Sequence, residues 1–153
     1  GMIDKPVRDL LKYTKFPGMK VLQFAFDPES DSEYLPYKYN KNCVAYIGTH
    51  DNATLAGWLD TADKKEVDFA REYLRLKNLC NCDEKREVIK CLMATVADVS
   101  IITMQDILGL DNRARMNVPS RADGNWQWRL MLNWVFFDET ADWIKKITQT
   151  YGR

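Results

Sequence analysis

The sequence has almost no excess charge and no long apolar run. Its 22 Lys and Arg residues balance 22 Asp and Glu residues, so the formal net charge at pH 7 is +0. This balance argues against a nucleic-acid-binding protein, because binding to phosphates depends on excess positive charge. The longest apolar runs, such as residues 135–137, are far shorter than the roughly 20 residues that cross a bilayer. We therefore expect neither nucleic acid nor a membrane as a partner.

Metal ligands and disulfide patterns are also scarce. The four cysteines lie among ordinary hydrophobic neighbours, which predicts reduced thiols, and their spacing does not match a paired zinc site. Acidic residues alternate from residue 27 to residue 33, but the glycine and ligand register of a calcium loop are missing, so we expect a solvated acidic loop. The first residues lack the apolar core of a secretory signal, which favours a cytoplasmic location. The cysteines are Cys43, Cys80, Cys82 and Cys91.

What the sequence does have is enough apolar material for a core. Hydrophobic residues make up 46% of the 153 residues, and five of the aromatic residues are tryptophans. No internal repeat or linker is visible, since Gly and Pro are scattered singly. We therefore expect residues 1–153 to form a single unit.

Three short apolar segments predict buried parallel strands, at residues 19–26, 43–48 and 99–104. Helical patterns separate them, and we expect helices after Asp4, after Asp63, over residues 88–96 and after Asp138. Strands that alternate with helices indicate a parallel α/β fold. Three strands alone leave two open sheet edges, so the fold looks incomplete, and we expect the isolated chain to self-associate.

The strongest candidate for chemistry follows the second strand, at Gly48-Thr49-His50-Asp51-Asn52. Side chains at the C-terminal ends of parallel strands are where α/β folds collect binding and catalytic groups. The structural alternative is that Asp51 or Asn52 only caps the next helix and that His50 is an ordinary loop residue.

Acidic residues also follow the other two strands, at Asp27 and Asp106. Together with Asp51 they would form an acidic rim suited to sugar hydroxyls, although a single polar residue at a strand end more often forms a turn. Four tryptophans offer stacking surfaces for sugar rings, but at helical spacing aromatic residues are more often part of the core. These tryptophans are Trp126, Trp128, Trp134 and Trp143.

Five segments, in order along the chain, resemble the C-terminal blocks of the bacterial 4-α-glucanotransferases, or amylomaltases. The resemblance implies that these residues form the last three or so strands of a (β/α)8 barrel with their helices. It further implies a cofactor-independent enzyme that cuts α-1,4-glucans and transfers the released chain to the 4-hydroxyl of another glucan with retention of configuration. The segments are residues 17–26, 48–52, 105–110, 114–119 and 124–129.

The resemblance also assigns roles to particular residues. Asp51 matches the family's third catalytic-site carboxylate, which holds sugar hydroxyls and favours the distorted, oxocarbenium-like state. His50 and Asn52, on either side of it, would contact the glucan. By the same comparison, Asp27 and Asn117 resemble substrate-contacting positions, and no metal ligand is implied. The chain departs from the family at Ala53, where a polar residue is frequent, and at Ser120, where glycine is usual.

The family's nucleophile and its acid/base lie before the segment that begins at Pro17. Retaining transfer requires both of these carboxyl groups. We therefore expect the 153 residues to be a fragment that is inactive by itself. The alternative is a non-catalytic glucan-binding or assembly module that keeps the sugar contacts of the barrel fragment.

Overall fold

A computed structural model describes residues 4–76, 80–131 and 138–153 of the chain. It contains six helices and three strands within these ranges, together with three short 3-10 helices. No helix in this part of the chain is long and apolar enough to span a membrane. In chain order the elements are α1 (Lys5–Thr14), β1 (Gly18–Val21), β2 (Cys43–Tyr46), α2 (Leu55–Thr61), α3 (Lys64–Tyr73), α4 (Asn81–Met93), β3 (Val99–Ile101), α5 (Met104–Ile107) and α6 (Asp138–Thr150).

The three strands form one parallel sheet in the order β1-β2-β3, as the sequence predicts. Gly18 of β1 is in register with Cys43 of β2, and Val44 of β2 is in register with Val99 of β3. Because β2 is central, the loop that follows it lies between those that follow β1 and β3. The carboxyl ends of all three strands therefore meet at one edge of the sheet.

Each strand is shorter than predicted. After Val21 the chain turns into a 3-10 helix (Leu22–Phe24), whose apolar Leu22 remains buried in the core. The third predicted strand ends at Ile101, because the Thr103 hydroxyl accepts a hydrogen bond from the Asp106 N–H and starts α5. Buried apolar side chains therefore continue past the end of a strand into the turn that follows it. The apolar pattern alone does not show where a strand ends.

The prediction that the strands are buried on both faces is wrong for the edge strands β1 and β3. Met19 in β1 is 56% exposed, and Val99 and Ile101 in β3 are 46% and 44% exposed. Only β2 alternates between buried and half-buried side chains along its whole length. The core lies under the central strand and the helices around it, and its largest fully buried side chains include Leu22, Ile47, Leu55, Leu76, Ile89 and Leu92.

Local capping signals explain where most helices begin. The Asp4 carboxylate accepts a hydrogen bond from the Val7 N–H at 3.2 Å, and the Asp63 carboxylate accepts one from the Lys65 N–H at 2.7 Å, as the sequence predicts for α1 and α3. An unpaired N–H at a helix N-terminus is satisfied in this way. The predicted helix over residues 88–96 is wrong at both ends: α4 begins at Asn81 and stops at Met93, and Val96 is 60% exposed.

Ion pairs and turns account for the alternating acidic residues that begin at Asp27. The Asp27 carboxylate accepts a hydrogen bond from the Glu29 N–H at 2.9 Å, and Glu29 Oε1 lies 3.2 Å from Lys65 Nζ. Asp31 pairs with Lys38, and Glu33 pairs with Arg8. In the described part of the chain, no three His, Cys, Asp or Glu residues are grouped so that they could hold a metal ion.

Among the cysteines that the structure describes, Cys43 is buried, Cys91 is half-buried and Cys80 is exposed. Cys43 and Cys91 carry free thiols, and burial raises the pKa of both, in the case of Cys91 to about 11. The Cys80 thiol donates a hydrogen bond to Asp83 Oδ2 at 2.9 Å. Thiols with raised pKa values are poor nucleophiles at neutral pH, which fits packing rather than chemistry. The Cys82 side chain lies outside the described part of the chain.

Candidate functional site

The loop after β2 is a tight turn that hydrogen bonds to the Asn52 side chain stabilise. The Asn52 side-chain oxygen accepts hydrogen bonds from Thr49 N at 2.9 Å and from Thr49 Oγ1 at 2.8 Å. The Asp51 N–H in turn donates to Thr49 Oγ1 at 3.3 Å. The loop is packed closely at its start, since a Cβ at Gly48 would lie 3.0 Å from the Asn52 Cβ. This turn raises His50 and Asp51 towards solvent, where they are 52% and 49% exposed.

The alternative interpretation of this loop, in which Asp51 or Asn52 caps the next helix, is wrong. The N-terminus of α2 is capped by Thr54, whose hydroxyl accepts a hydrogen bond from the Gly57 N–H at 3.1 Å. Asn52 is committed to the turn, as described above. The Asp51 carboxylate therefore has no role in starting α2, and its contacts lie elsewhere.

Asp51 contacts a second loop, 66 residues further along the chain. The Asn117 side-chain amide donates to Asp51 Oδ1 at 2.6 Å, and the Asn117 backbone N–H donates to the His50 carbonyl at 3.1 Å. His50 Nε2 lies 3.3 Å from the same Asp51 oxygen. The structure thus brings together three of the five predicted site residues, and we call His50, Asp51 and Asn117 the carboxylate cluster.

Arg115 belongs to the same region but was not predicted as a site residue. Its Nη2 donates to the Asp51 carbonyl at 2.8 Å, while its Nε is buried and meets no acceptor among the described residues. A guanidinium donates hydrogen bonds and accepts none, so this side chain can offer an N–H group to a ligand oxygen. The sequence signal was present, since Arg115 lies two residues before Asn117, but a single Arg in a loop is ordinarily solvated.

Asp27 and Asp51 line one open cleft of about 470 Å³, together with Asn52 and Arg115. A volume of this size falls within the range of small-molecule sites. Asp27 comes from the segment that follows β1, so the cleft joins the ends of two neighbouring strands. Carboxylates, an amide and a guanidinium around one cleft provide both acceptors and donors for hydroxyl groups.

Asp106 does not join Asp27 and Asp51 on an exposed rim, contrary to the prediction from its position after the third strand. It is only 3% exposed, and its carboxylate accepts a hydrogen bond from the Leu55 N–H at 2.6 Å. Burial raises the pKa of Asp106, and the hydrogen bond from Leu55 opposes that effect. This carboxylate anchors the start of α2 to α5, which is a structural role.

The segment between α5 and Asn117 is also held against α2. The Asn112 side-chain oxygen accepts a hydrogen bond from the Thr54 N–H at 3.3 Å, and the Gln105 amide donates to the Ala114 carbonyl at 3.2 Å. Asn112 passes so close to α2 that a Cβ at Gly57 would lie 2.1 Å from its side-chain oxygen. Glycine at this position therefore permits the approach that brings Asn117 to Asp51.

The tryptophans divide between the core and the site. Trp143 packs against the core, Trp128 is half-buried, and Trp134 lies outside the described residues. Trp126 is 52% exposed, and its ring centroid lies 5.0 Å from that of His50. The prediction that these aromatic residues belong to the core is wrong for Trp126.

Comparison with known proteins finds one family over most of the chain. The sequence model of the family described as 4-alpha-glucanotransferase matches residues 1–133. A 4-alpha-glucanotransferase of Clostridium butyricum is 45% identical over 156 residues, covering 100% of this chain and 31% of its own length. A chloroplastic/amyloplastic 4-alpha-glucanotransferase of Solanum tuberosum is 40% identical, covering 100% of this chain and 27% of its own length. The chain thus spans between a quarter and a third of the length of the curated relatives that it matches.

Solved structures agree with this assignment. The amylomaltase from Streptococcus agalactiae in complex with acarbose superposes with a TM-score of 0.90 at 37% identity, over 100% of this chain and 30% of that one. The amylomaltase from Corynebacterium glutamicum has a TM-score of 0.72 at 14% identity, over 97% of this chain and 27% of that one, which shows similarity of fold.

Proposed function

Because the chain belongs to the 4-alpha-glucanotransferase family, we propose that it forms part of the active site of a retaining 4-α-glucanotransferase, the part that binds the α-1,4-glucan and supplies one carboxylate. The observation that carries this proposal is the hydrogen bond of 2.6 Å between the Asn117 amide and Asp51 Oδ1. It fixes an accessible carboxylate beside the family's expected sugar-contacting residues. Such a contact between distant loops is what a preorganised binding site requires.

We propose that β1, β2 and β3 are three strands near the end of a (β/α)8 barrel. The parallel sheet supports this, as does the position of the cluster after the carboxyl end of β2. In such barrels the loops at that end carry the active site. The amylomaltase likeness at a TM-score of 0.90 is the independent support.

In the proposed reaction, Asp51 accepts hydrogen bonds from hydroxyl groups of the sugar at the cleaved bond and favours the positive charge that develops there. His50 and Asn117 contact the same sugar, and Asp27, which lines the same open cleft as Asp51, contacts it as well. Asn52 acts mainly through the turn that it stabilises, because its side-chain oxygen already accepts two hydrogen bonds from Thr49. No step of this scheme draws on a metal or an organic cofactor.

Retaining transfer needs two further carboxyl groups, a nucleophile and an acid/base, on either side of the scissile bond. We assign no residue of this chain to either role. A charge-stabilising carboxylate loses most of its effect when the groups that break the bond are missing. We therefore propose that the 153 residues alone bind glucan without transferring it.

Two measurements on the purified chain test this function. Calorimetric titration with maltoheptaose should show saturable binding, and Asp51→Ala should weaken it by about tenfold, the effect of losing hydrogen bonds to a charged group. Incubation with maltotriose should release no glucose and form no longer maltooligosaccharides. Absence of binding would contradict the glucan site, and glucose release that Asp51→Asn abolishes would contradict the proposed inactivity.

A further inference from the structure

Trp126 has a backbone conformation that bulky residues rarely adopt. Its φ angle is 63°, in the left-handed region, where a side chain is ordinarily strained. Residues held in this way persist only where neighbouring contacts impose the conformation, and they cluster at ligand-binding and active sites. The contacts that hold the Trp126 backbone therefore bear on whether this residue has a role in binding.

The backbone of Trp126 is held on both sides. Its N–H donates to the Met116 carbonyl at 2.6 Å, and its carbonyl accepts a hydrogen bond from Arg129 Nη1 at 2.9 Å. The residue before it is held as well, since the Asn125 side chain accepts from Val118 N at 2.9 Å and donates to Arg121 O at 2.8 Å. Polar contacts thus tie the tryptophan backbone to the loop that carries Asn117.

The indole ring gains no comparable burial from this arrangement. It remains 52% exposed, tilted by 41° against the His50 ring, with 5.0 Å between the centroids. A tryptophan that served the core would be covered, because its large apolar surface is where its contribution to stability comes from. Instead, a strained and well-anchored backbone presents the ring to solvent beside the carboxylate cluster.

We propose that Trp126 is a glucan-binding residue, whose exposed indole face stacks on the apolar C–H face of a glucosyl unit bound next to the carboxylate cluster. This inference rests on the proposed function and adds a contact to it. Hydroxyl groups project from the edge of a pyranose ring, where Asp51 and Asn117 can bind them, and the ring face is left for an apolar partner. Covering an exposed aromatic ring with such a partner favours binding, because apolar surface is removed from water.

The test compares maltoheptaose affinities of the purified chain and its variants by calorimetry. We expect Trp126→Ala to weaken binding by about tenfold and Trp126→Phe, which keeps an aromatic face, to bind within about threefold of the unchanged chain. Tyr37→Ala is the matched control, because Tyr37 is 69% exposed, lies on the 3-10 helix Pro36–Lys38 and does not line the cleft. It should bind as the unchanged chain does.

A second measurement does not depend on the alanine variant being folded. The chain has five tryptophans, so 5-fluorotryptophan labelling gives five fluorine signals, of which Trp126→Phe identifies one. That signal should shift with maltoheptaose in a saturable way. An unmoved signal at saturating glucan, or a Trp126→Ala affinity equal to that of the unchanged chain, would overturn the stacking role.

The two proposals fail in different ways. If Asp51→Ala weakens glucan binding while the Trp126 signal and affinity stay unchanged, only the stacking role is wrong. If the unchanged chain binds no maltoheptaose at all, the proposed glucan site is wrong, and the stacking role is overturned with it.

Discussion

The contact between Asn117 and Asp51 illustrates how much depends on single side chains in this chain. Asn117 donates to the Asp51 carboxylate through its amide and to the His50 carbonyl through its backbone. Only the amide contact is lost when the side chain is shortened, so the loop keeps its backbone tie. A substitution at this position therefore separates orientation of the carboxylate from folding of the loop.

We predict that Asn117→Ala weakens maltoheptaose binding by about three- to tenfold, the effect of losing one hydrogen bond. Calorimetric titration measures this directly. Gln149→Ala removes an exposed carboxamide of the same kind on α6, which lines neither the cleft nor the carboxylate cluster, and it should leave the affinity unchanged. Equal affinities for the Asn117 variant and the unchanged chain would show that the amide has no part in binding.

Asp106 gives a prediction for the dependence of stability on pH. Burial raises its pKa in the folded state above 3.8, so the folded chain binds this proton more tightly than the unfolded chain does. Its contribution to the free energy of unfolding is therefore fully present below pH 3.8 and is lost as the pH rises through the raised value. Asp106→Asn removes this titration.

We predict that the free energy of unfolding of the unchanged chain, minus that of Asp106→Asn, increases as the pH falls from neutral towards 3.8. Urea unfolding of both proteins at several pH values measures the difference. A difference that stays constant across this range, or that decreases on acidification, would show that the carboxyl group is not buried as described.

At the scale of the elements, the sequence predicted the starts of α1 and α3 better than the strand ends. Asp4 and Asp63 begin α1 and α3 because capping depends on a few adjacent residues. The end of β1 depends instead on how Leu22 packs under the sheet, and the start of α2 depends on Thr54 rather than on the more conspicuous Asp51. Neither the end of β1 nor the start of α2 can be determined from apolar periodicity alone.

In the site, too, local features could be predicted from the sequence and long-range contacts could not. His50 and Asp51 were predicted as a pair because they are adjacent and follow a strand. Asn117 was predicted through the family resemblance only, because nothing in the local sequence indicates a contact with a residue 66 positions away. Trp126 was assigned to the core, because the left-handed backbone that exposes its ring has no signature in the residue type.

The backbone at Ser120 has a conformation that suits glycine. Its φ angle is 65°, so a residue with a Cβ is strained there. Relief of this strain is worth about 1–2 kcal/mol, and the greater freedom of glycine in the unfolded chain offsets about half of it.

We predict that Ser120→Gly raises the free energy of unfolding by about 0.5–1 kcal/mol. Ser120→Ala, which keeps the Cβ, should give no such gain. Urea unfolding at pH 7 measures both variants. A glycine variant that is less stable than the unchanged chain would mean that the serine side chain contributes more than its strained backbone costs.

At the scale of the whole molecule, helix α1 and the strand that follows it carry exposed apolar residues. Helix α1 has no buried residue, and Leu10, Tyr13 and Phe16 are 60%, 86% and 69% exposed. The neighbouring strand β1 is an edge of the described sheet, with Met19 56% exposed. Edges and apolar faces of this kind favour association.

We predict that the chain self-associates at micromolar concentration and that a second copy covers α1 and the β1 edge. Light scattering after size exclusion should give a mass of at least twice 17.9 kDa. Replacing Leu10 and Phe16 together by Lys should shift the mass towards that of one chain, whereas Tyr37→Lys, a change at an exposed aromatic residue of the 3-10 helix Pro36–Lys38, should not. A monomer throughout would contradict the prediction.

We expect glucan to bind at the end of β2, beside Asp51. The chain has one histidine, and its ring lies 3.3 Å from the Asp51 carboxylate, so proton NMR of the imidazole reports on this site alone. We predict that maltoheptaose shifts the His50 ring signals in a saturable way and that Asp51→Ala reduces the apparent affinity. Ring signals that stay unmoved, while calorimetry shows the glucan bound, would place the glucan elsewhere and contradict a binding site beside Asp51.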